Sequence, residues 1–218
     1  STKKVANNEI ANYLTGLAKV HPRWGFDKMM AKAKLDKKIW NHKRVHRIYC
    51  EQGLNIRIKP RKRLPSGESK ILVQPTRPNV CWSLDFMVDV LQHGGSFRIL
   101  NVIDDYNREA LLIEPRHSLP AFTVTLLLDQ LALHRGYPDM IRIDNGTELT
   151  SKIFREWAAR HNILLHYIQP GKPAQNAFIE RFNRTYREEV LDIHWFMNLA
   201  EVRYITKEWL NTYNYQRP

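Results

Sequence analysis

Apolar positions in the first fifty residues recur at helical spacing. Ile10, Leu14 and Leu17 form one stripe over about 7–20, and a second pattern runs about 25–35 through GFDKMMAKAKL. A third segment, NHKRVHRIYCEQ, has Asn41 as N-cap and Gly53 in the position after the C-cap. Its period turns Val45, Ile48 and Tyr49 inward and His42, Lys43, Arg44 and Arg47 outward. From residue 80 the period changes to two. CWSLDFMVDVL, FRILNVIDDYNR and EALLIEPR predict three strands, the first two joined at Gly94-Gly95. LPAFTVTLLLDQLALHRG predicts a helix closed by Gly136. DMIRIDNG then predicts a strand, SKIFREWAARHN a helix and ILLHYIQP a strand. In the helix that follows, Ile179, Phe182, Tyr186 and Val190 share an apolar face, and Asn176, Glu180, Asn183, Arg184 and Arg187 a polar one.

The order βββαβαβα predicts an α/β domain with a ribonuclease H-like mixed five-stranded sheet flanked by helices. A small all-α domain precedes it. Residues 1–56 suit a basic helix-turn-helix domain, with a plain three-helix bundle of charged surface as the alternative. Residues 57–79 hold four prolines and the cations Lys59, Arg61, Lys62 and Arg63, which predict an extended linker able to lie along phosphates. The sheet domain is expected over 80–192 and a helical extension over 193–218. Trp82, Trp157, Trp195 and Trp209 are expected as core anchors rather than base-stacking platforms.

Charge sharpens this division. The net charge is +12, yet residues 1–78 hold 19 Lys and Arg against 5 Asp and Glu, while residues 79–218 hold 15 against 17. A basic module joined to a nearly neutral one is the footprint of a nucleic-acid grip attached to something else. No apolar run reaches the roughly 18–20 residues of a membrane span, and the first residues, STKKVANNEI, lack a signal peptide's apolar stretch. Two cysteines 31 positions apart, with no CxxC, argue against a zinc knuckle or a disulfide scaffold and fit a reducing cytoplasm. His42 and His46 read as part of a basic helix.

Three acids stand out by position. Asp85 interrupts an apolar strand, Asp144 closes another before the turn Asn145-Gly146, and Glu180 sits on the final amphipathic helix. Each has a plainer reading: a strand-edge ion pair, a turn residue, and an i, i+4 pair with Arg184. Gathered at one sheet edge they would repel, and burial would raise the cost of their ionised forms. Divalent cations relieve that penalty, and hard oxygen ligands suit Mg²⁺. Two such ions can serve an in-line phosphoryl transfer with no Ser, Tyr or Cys nucleophile. Asp104 and Asp105, in DDYNR, read as turn residues.

The stretches NHKRVHRIY, WSLDFM, FRILNVIDDYNREAL, IRIDNGTEL, IQPGKPAQNAFIERFNRTYREEVLD and YNYQRP resemble the catalytic reading frame of insertion sequence three family transposases, relatives of retroviral integrases. The likeness spans about residues 21–218. Thirty-five residues separate Asp144 from Glu180, the family's spacing, and Arg187 stands seven after Glu180 like its characteristic basic residue. The chain reads DNGTE where the family usually has DNGPE.

The resemblance implies a transposase that nicks transposon ends and uses the freed 3′-OH for strand transfer, by copy-out and paste-in. It implies Asp85, Asp144 and Glu180 as ligands of two Mg²⁺ ions, with Mn²⁺ a substitute. Arg187, Arg184, Lys172 and Asn176 would contact DNA, although Lys172 also suits a solvated loop. His42, Lys43, Arg44 and Arg47, with the linker cations, would meet phosphates and a base or two. Expected partners are terminal inverted repeats, target DNA, a second copy, and a segment encoded by an upstream frame. The expected location is the bacterial cytoplasm at the nucleoid. A nuclease, or a DNA-binding regulator on an inert sheet domain, would share parts of this pattern.

Overall fold

The apolar stripes of the first fifty residues build three helices in the computed structural model, which describes residues 2–56, 72, 74–169 and 173–217. They are α1 (Thr2–Val20), α2 (Phe26–Leu35) and α3 (His42–Glu51). Ile10 and Leu14 of α1, Met29 and Met30 of α2, and Val45, Ile48 and Tyr49 of α3 share one core with Trp24. The start of α3 is fixed locally. The Asn41 side chain accepts hydrogen bonds from the backbone N–H of Lys43 at 3.0 Å and of Arg44 at 3.4 Å. The helix ends at Gly53, whose φ of +65° is the left-handed conformation glycine adopts without strain.

These helices form one of the two units into which the chain divides; the other is built on the sheet. Five strands make it: β1 (Cys81–Val90), β2 (Ser96–Asp104), β3 (Ala110–Arg116), β4 (Met140–Ile143) and β5 (Leu164–Tyr167). Their spatial order is β3-β2-β1-β4-β5. The hairpin-linked strands β1, β2 and β3 pair antiparallel, while β4 and β5 add in parallel beside β1. Intervening helices α4 (Ala121–Arg135) and α5 (Lys152–Arg160) make those crossovers, and α6 (Ala177–Glu189) and α7 (Leu199–Asn211) complete the unit. This is the ribonuclease H-like mixed sheet that the element order predicts.

Both sheet faces are covered. Trp82, Leu84, Leu100, Val102, Ile141 and Ile143 pack on one side with Val124 and Leu128 of α4 and Phe154 and Trp157 of α5. Met87, Phe97, Ile99 and Ile103 pack on the other with Ile179, Phe182 and Tyr186 of α6 and Val202 of α7. Period-two alternation sends Ser83, Asp85 and Asn101 to this second face, making a polar seam under α6.

Of the four tryptophans expected in the core, Trp82 and Trp157 are fully buried and Trp209 packs on the α6 side. Trp195 does not; it is 82% exposed, because its neighbour Phe196 is the residue that turns inward between α6 and α7. Among the described residues no helix is long and apolar enough to cross a membrane.

Asn41→Ala removes the acceptor for two α3 amides. It is expected to lower the stability of the helical unit by about 1 kcal/mol, seen as an earlier urea midpoint for α3.

Candidate active site

Asp85 lies midway along β1, half-buried, on the face covered by α6. Its Oδ1 accepts from the Phe86 N–H at 2.8 Å, and its Oδ2 from the side-chain amide of Asn183 on α6 at 2.7 Å. Asp144 is the first residue beyond β4. Because β4 runs parallel to β1 with Arg142 opposite Ser83, the same register carried two residues on reaches Asp85 and Asp144. Asp144 is held by an Asx turn in which its Oδ1 accepts from Gly146 N–H at 3.0 Å. A Cβ on Gly146 would meet that same oxygen at 3.0 Å, so a larger residue there presses directly on the carboxylate. The loop after Asp144 is tied down twice, by Asn145 Nδ2 to the Ile168 carbonyl at 3.0 Å and by an ion pair between Glu148 and Arg98 of β2.

Glu180 occupies the first turn of α6 and is half-buried. Among the described residues it has no ion pair, so the i, i+4 contact with Arg184 is not made. Arg184 is exposed and acts on Glu180 through space alone.

Three carboxylates from β1, the end of β4 and α6 thus share one field. Burial pushes the Asp85 carboxyl up to about 6, and the charges of Asp144 and Glu180 add to the rise. The hydrogen bonds from Phe86 and Asn183 oppose it. Burial also raises Glu180, against the pull of Arg184. Among the described residues no three His, Cys, Asp or Glu side chains close into a metal cage by themselves.

Several predicted contacts fall elsewhere. Asn176 and Asn183 are buried, not presented to solvent. Asn176 ends a 3₁₀ turn (Pro173–Asn176) at the start of α6, and Asn183 faces β1 and β2. Helical periodicity gives Asn183 the phase of Glu180, but the sheet covers that flank. Arg187 is half-buried; it donates to the Val88 carbonyl at 3.1 Å and lies 3.7 Å from Asp89. On α3, His42, Lys43 and Arg47 are exposed, with His42 edge-on to Phe26 at 5.0 Å and Arg47 3.7 Å from Glu51. Arg44 points inward instead, its Nε donating to Asn7 of α1 at 2.9 Å, because α1 packs over that side of α3. Lys172, Lys59, Arg61, Lys62 and Arg63 lie outside the described residues.

Sequence reasoning passed over Ser83, Asn101 and Arg142, and read Asp104 and Asp105 as turn residues only. Asp105 is fully buried, accepts from Ser83 Oγ at 2.7 Å and pairs with Arg142. Asp104 accepts from the N–H groups of Asn79 and Tyr106, each at 2.9 Å. Asn101, opposite Asp85 in the β1–β2 register, bonds to Asn183 at 2.7 Å. The available signal was a polar residue inside an otherwise apolar strand, as in CWSLDFM and FRILNVID.

The chain matches the integrase core domain over residues 75–173 and again over residues 161–218. It is 38% identical over 98% of its length to the insertion element IS476 uncharacterized 39.2 kDa protein of Xanthomonas euvesicatoria, and spans 62% of that protein. It is 39% identical over 97% of its length to the insertion element IS407 uncharacterized 31.7 kDa protein of Burkholderia multivorans, and spans 76% of it. A chain of the simian T-cell lymphotropic virus intasome, determined with the PP2A regulatory subunit B56 gamma, superposes with a TM-score of 0.54 at 17% identity. That match covers 84% of this chain and 64% of the other, and speaks to fold alone. Fold and matches together define an integrase-core protein. Within that class the chain belongs to the integrase-core proteins of insertion elements.

Ionised Asp85 costs the fold stability. Its pKa is raised from 3.8 to about 6, so the folded chain binds the proton more tightly and stability falls as pH rises through that window. Asp85→Asn is therefore expected to melt higher than the unsubstituted protein at about pH 8 and to lose that advantage below about pH 4. Thermal melts across pH check this; a difference independent of pH would mean that the charge is not the cause.

Proposed function

We propose that this chain is the catalytic part of a DNA transposase that nicks at transposon ends and transfers the freed 3′-OH to a second strand. The observation that carries the reading is geometric: in an integrase-core fold the parallel β1–β4 register sets Asp144 level with Asp85, and α6, which carries Glu180, reaches the Asp85 carboxylate through Asn183. A fold has no packing reason to gather like charges on a half-buried face; a cation between them supplies one.

The donor set fits magnesium, with manganese as a substitute. Carboxylate oxygens are hard ligands, and an Asp85 raised to about 6 by burial and like charge is relieved by a positive neighbour. When bound, a pair of such ions supplies charge stabilisation to the attacking and leaving oxygens of an in-line displacement.

The chain's own residues do the rest. Asp85, Asp144 and Glu180 would hold the metals. Arg184, exposed one turn beyond Glu180, attracts the phosphate backbone, and Arg187 steadies it from the next turn. Lys172, just before α6, would add a third cation. His42, Lys43 and Arg47 on the solvent side of α3 grip the duplex, with Lys59, Arg61, Lys62 and Arg63 along the backbone. The substrates are the terminal inverted repeats and target DNA. Two ends cut together call for two copies of the chain, working by copy-out and paste-in alongside an upstream-frame segment in the bacterial cytoplasm.

A labelled duplex bearing the ends of the encoding element, incubated with protein and Mg²⁺, is expected to give nicked and joined products. Both should vanish with EDTA and in the Asp144→Ala protein. Joining that persists in either case would overturn the metal-dependent reading, and hydrolysed ends without joining would favour a nuclease.

A further inference from the structure

Asn101 is fully buried in β2 among Ile99, Leu100, Val102 and Ile103, all with no exposure. Its Oδ1 is buried and has no hydrogen-bond partner among the described residues. An apolar residue would fit this strand at less cost, so the amide calls for an explanation. Its Nδ2 supplies one. It donates to Asn183 Oδ1 at 2.7 Å, with the Met87 sulfur 3.2 Å away, and Asn183 Nδ2 in turn donates to Asp85 Oδ2 at 2.7 Å.

The direction of this chain is forced. An ionised Asp85 only accepts, so Asn183 must present its NH₂ to it and its carbonyl to Asn101. An asparagine turned the other way would set its oxygen against the carboxylate. Asn101, opposite Asp85 in register and rigid within a central strand, donates into that carbonyl and prevents the reversal. The two amides align head to tail, each polarising the next toward Asp85. Asn183 also stands three residues after Glu180, so the same bond sets the Glu180 helix against the Asp85 strand.

We infer that Asn101 is a positioning residue of the active site, acting through Asn183 to orient the Asp85 carboxylate for the divalent ion; this rests on the metal-dependent reading given above. Asn101→Leu, which keeps the branched heavy-atom skeleton and is apolar, should fold with an unchanged or higher melting temperature. It should nonetheless bind Mn²⁺ roughly tenfold more weakly in calorimetry on the full chain without DNA. Joining activity should need correspondingly more Mg²⁺. In an Asn183→Leu background, Asn101→Leu should have no further effect on Mn²⁺ affinity, because its route to Asp85 is already cut.

Unchanged Mn²⁺ affinity in Asn101→Leu, with binding abolished in Asp144→Asn, would overturn the positioning role and leave the metal site standing. No Mn²⁺ binding to the unsubstituted chain, with or without end duplex, would overturn both. Should Asn101→Leu not fold, the unsubstituted protein still decides: the Asn183 side-chain NH₂ is expected to exchange slowly with solvent by NMR, and fast exchange would refute the inference.

Discussion

A charge held on the half-buried face of a β-sheet is the constraint around which the second unit is built. Asp85 occupies a position where strand alternation would otherwise place an apolar side chain, and the field of Asp144 and Glu180 makes its ionised form costlier still. Such a group is tolerable only if its surroundings supply donors at fixed distances. They come from two directions, the Phe86 backbone within the strand and Asn183 across from α6. The same helix carries Glu180, so the element that adds repulsion also brings the hydrogen bond that offsets part of it.

A second buried polar group holds the strands on which the acids ride. Ser83 and Arg142 are register partners on β1 and β4, two residues ahead of Asp85 and Asp144, and Asp105 contacts both. Burial raises the Asp105 carboxyl, while the Ser83 hydroxyl and the Arg142 guanidinium pull it back. Replacing such a cluster with apolar residues often leaves stability unharmed; its use is in specifying one arrangement over its neighbours. Here the arrangement specified is the parallel approach of β1 to β4, which sets Asp144, just past β4, level with Asp85 of β1. From there, the loop after Asp144 is fastened by Asn145 and Glu148, and Gly146 leaves room for its carboxylate.

Much of the architecture was legible in one dimension because it depends on short-range periodicity. The three N-terminal helices, the hairpin at Gly94-Gly95 and the alternating second half follow from apolar spacing and turn residues. The candidate acids were legible too, as charged residues in places where pattern asks for apolar ones or where a strand ends. The side chains around them were not. Asn183 has the right helical phase for a solvent-facing surface, and only the approach of the sheet decides that it is covered. Arg44 is likewise in phase with the exposed cations of α3, yet α1 draws it to Asn7, 37 residues away. Trp195 has a core residue's composition and a surface residue's position, since between α6 and α7 Val190, Leu191 and Phe196 are the residues that turn into the core.

By itself, then, the sequence determined which segments become helix or strand, which end of the chain is basic, and that Asp85 breaks an apolar strand while Asp144 closes one, because each is a property of a few neighbouring residues. Tertiary structure alone decided which polar groups meet. Asn183 reaches Asp85 across 98 positions and Asn101 across 82, and no local spacing encodes contacts of that range. They exist because a mixed sheet sets β2, β1 and β4 side by side and lays α6 over them, bringing distant amides and carboxylates into hydrogen-bonding distance on one face.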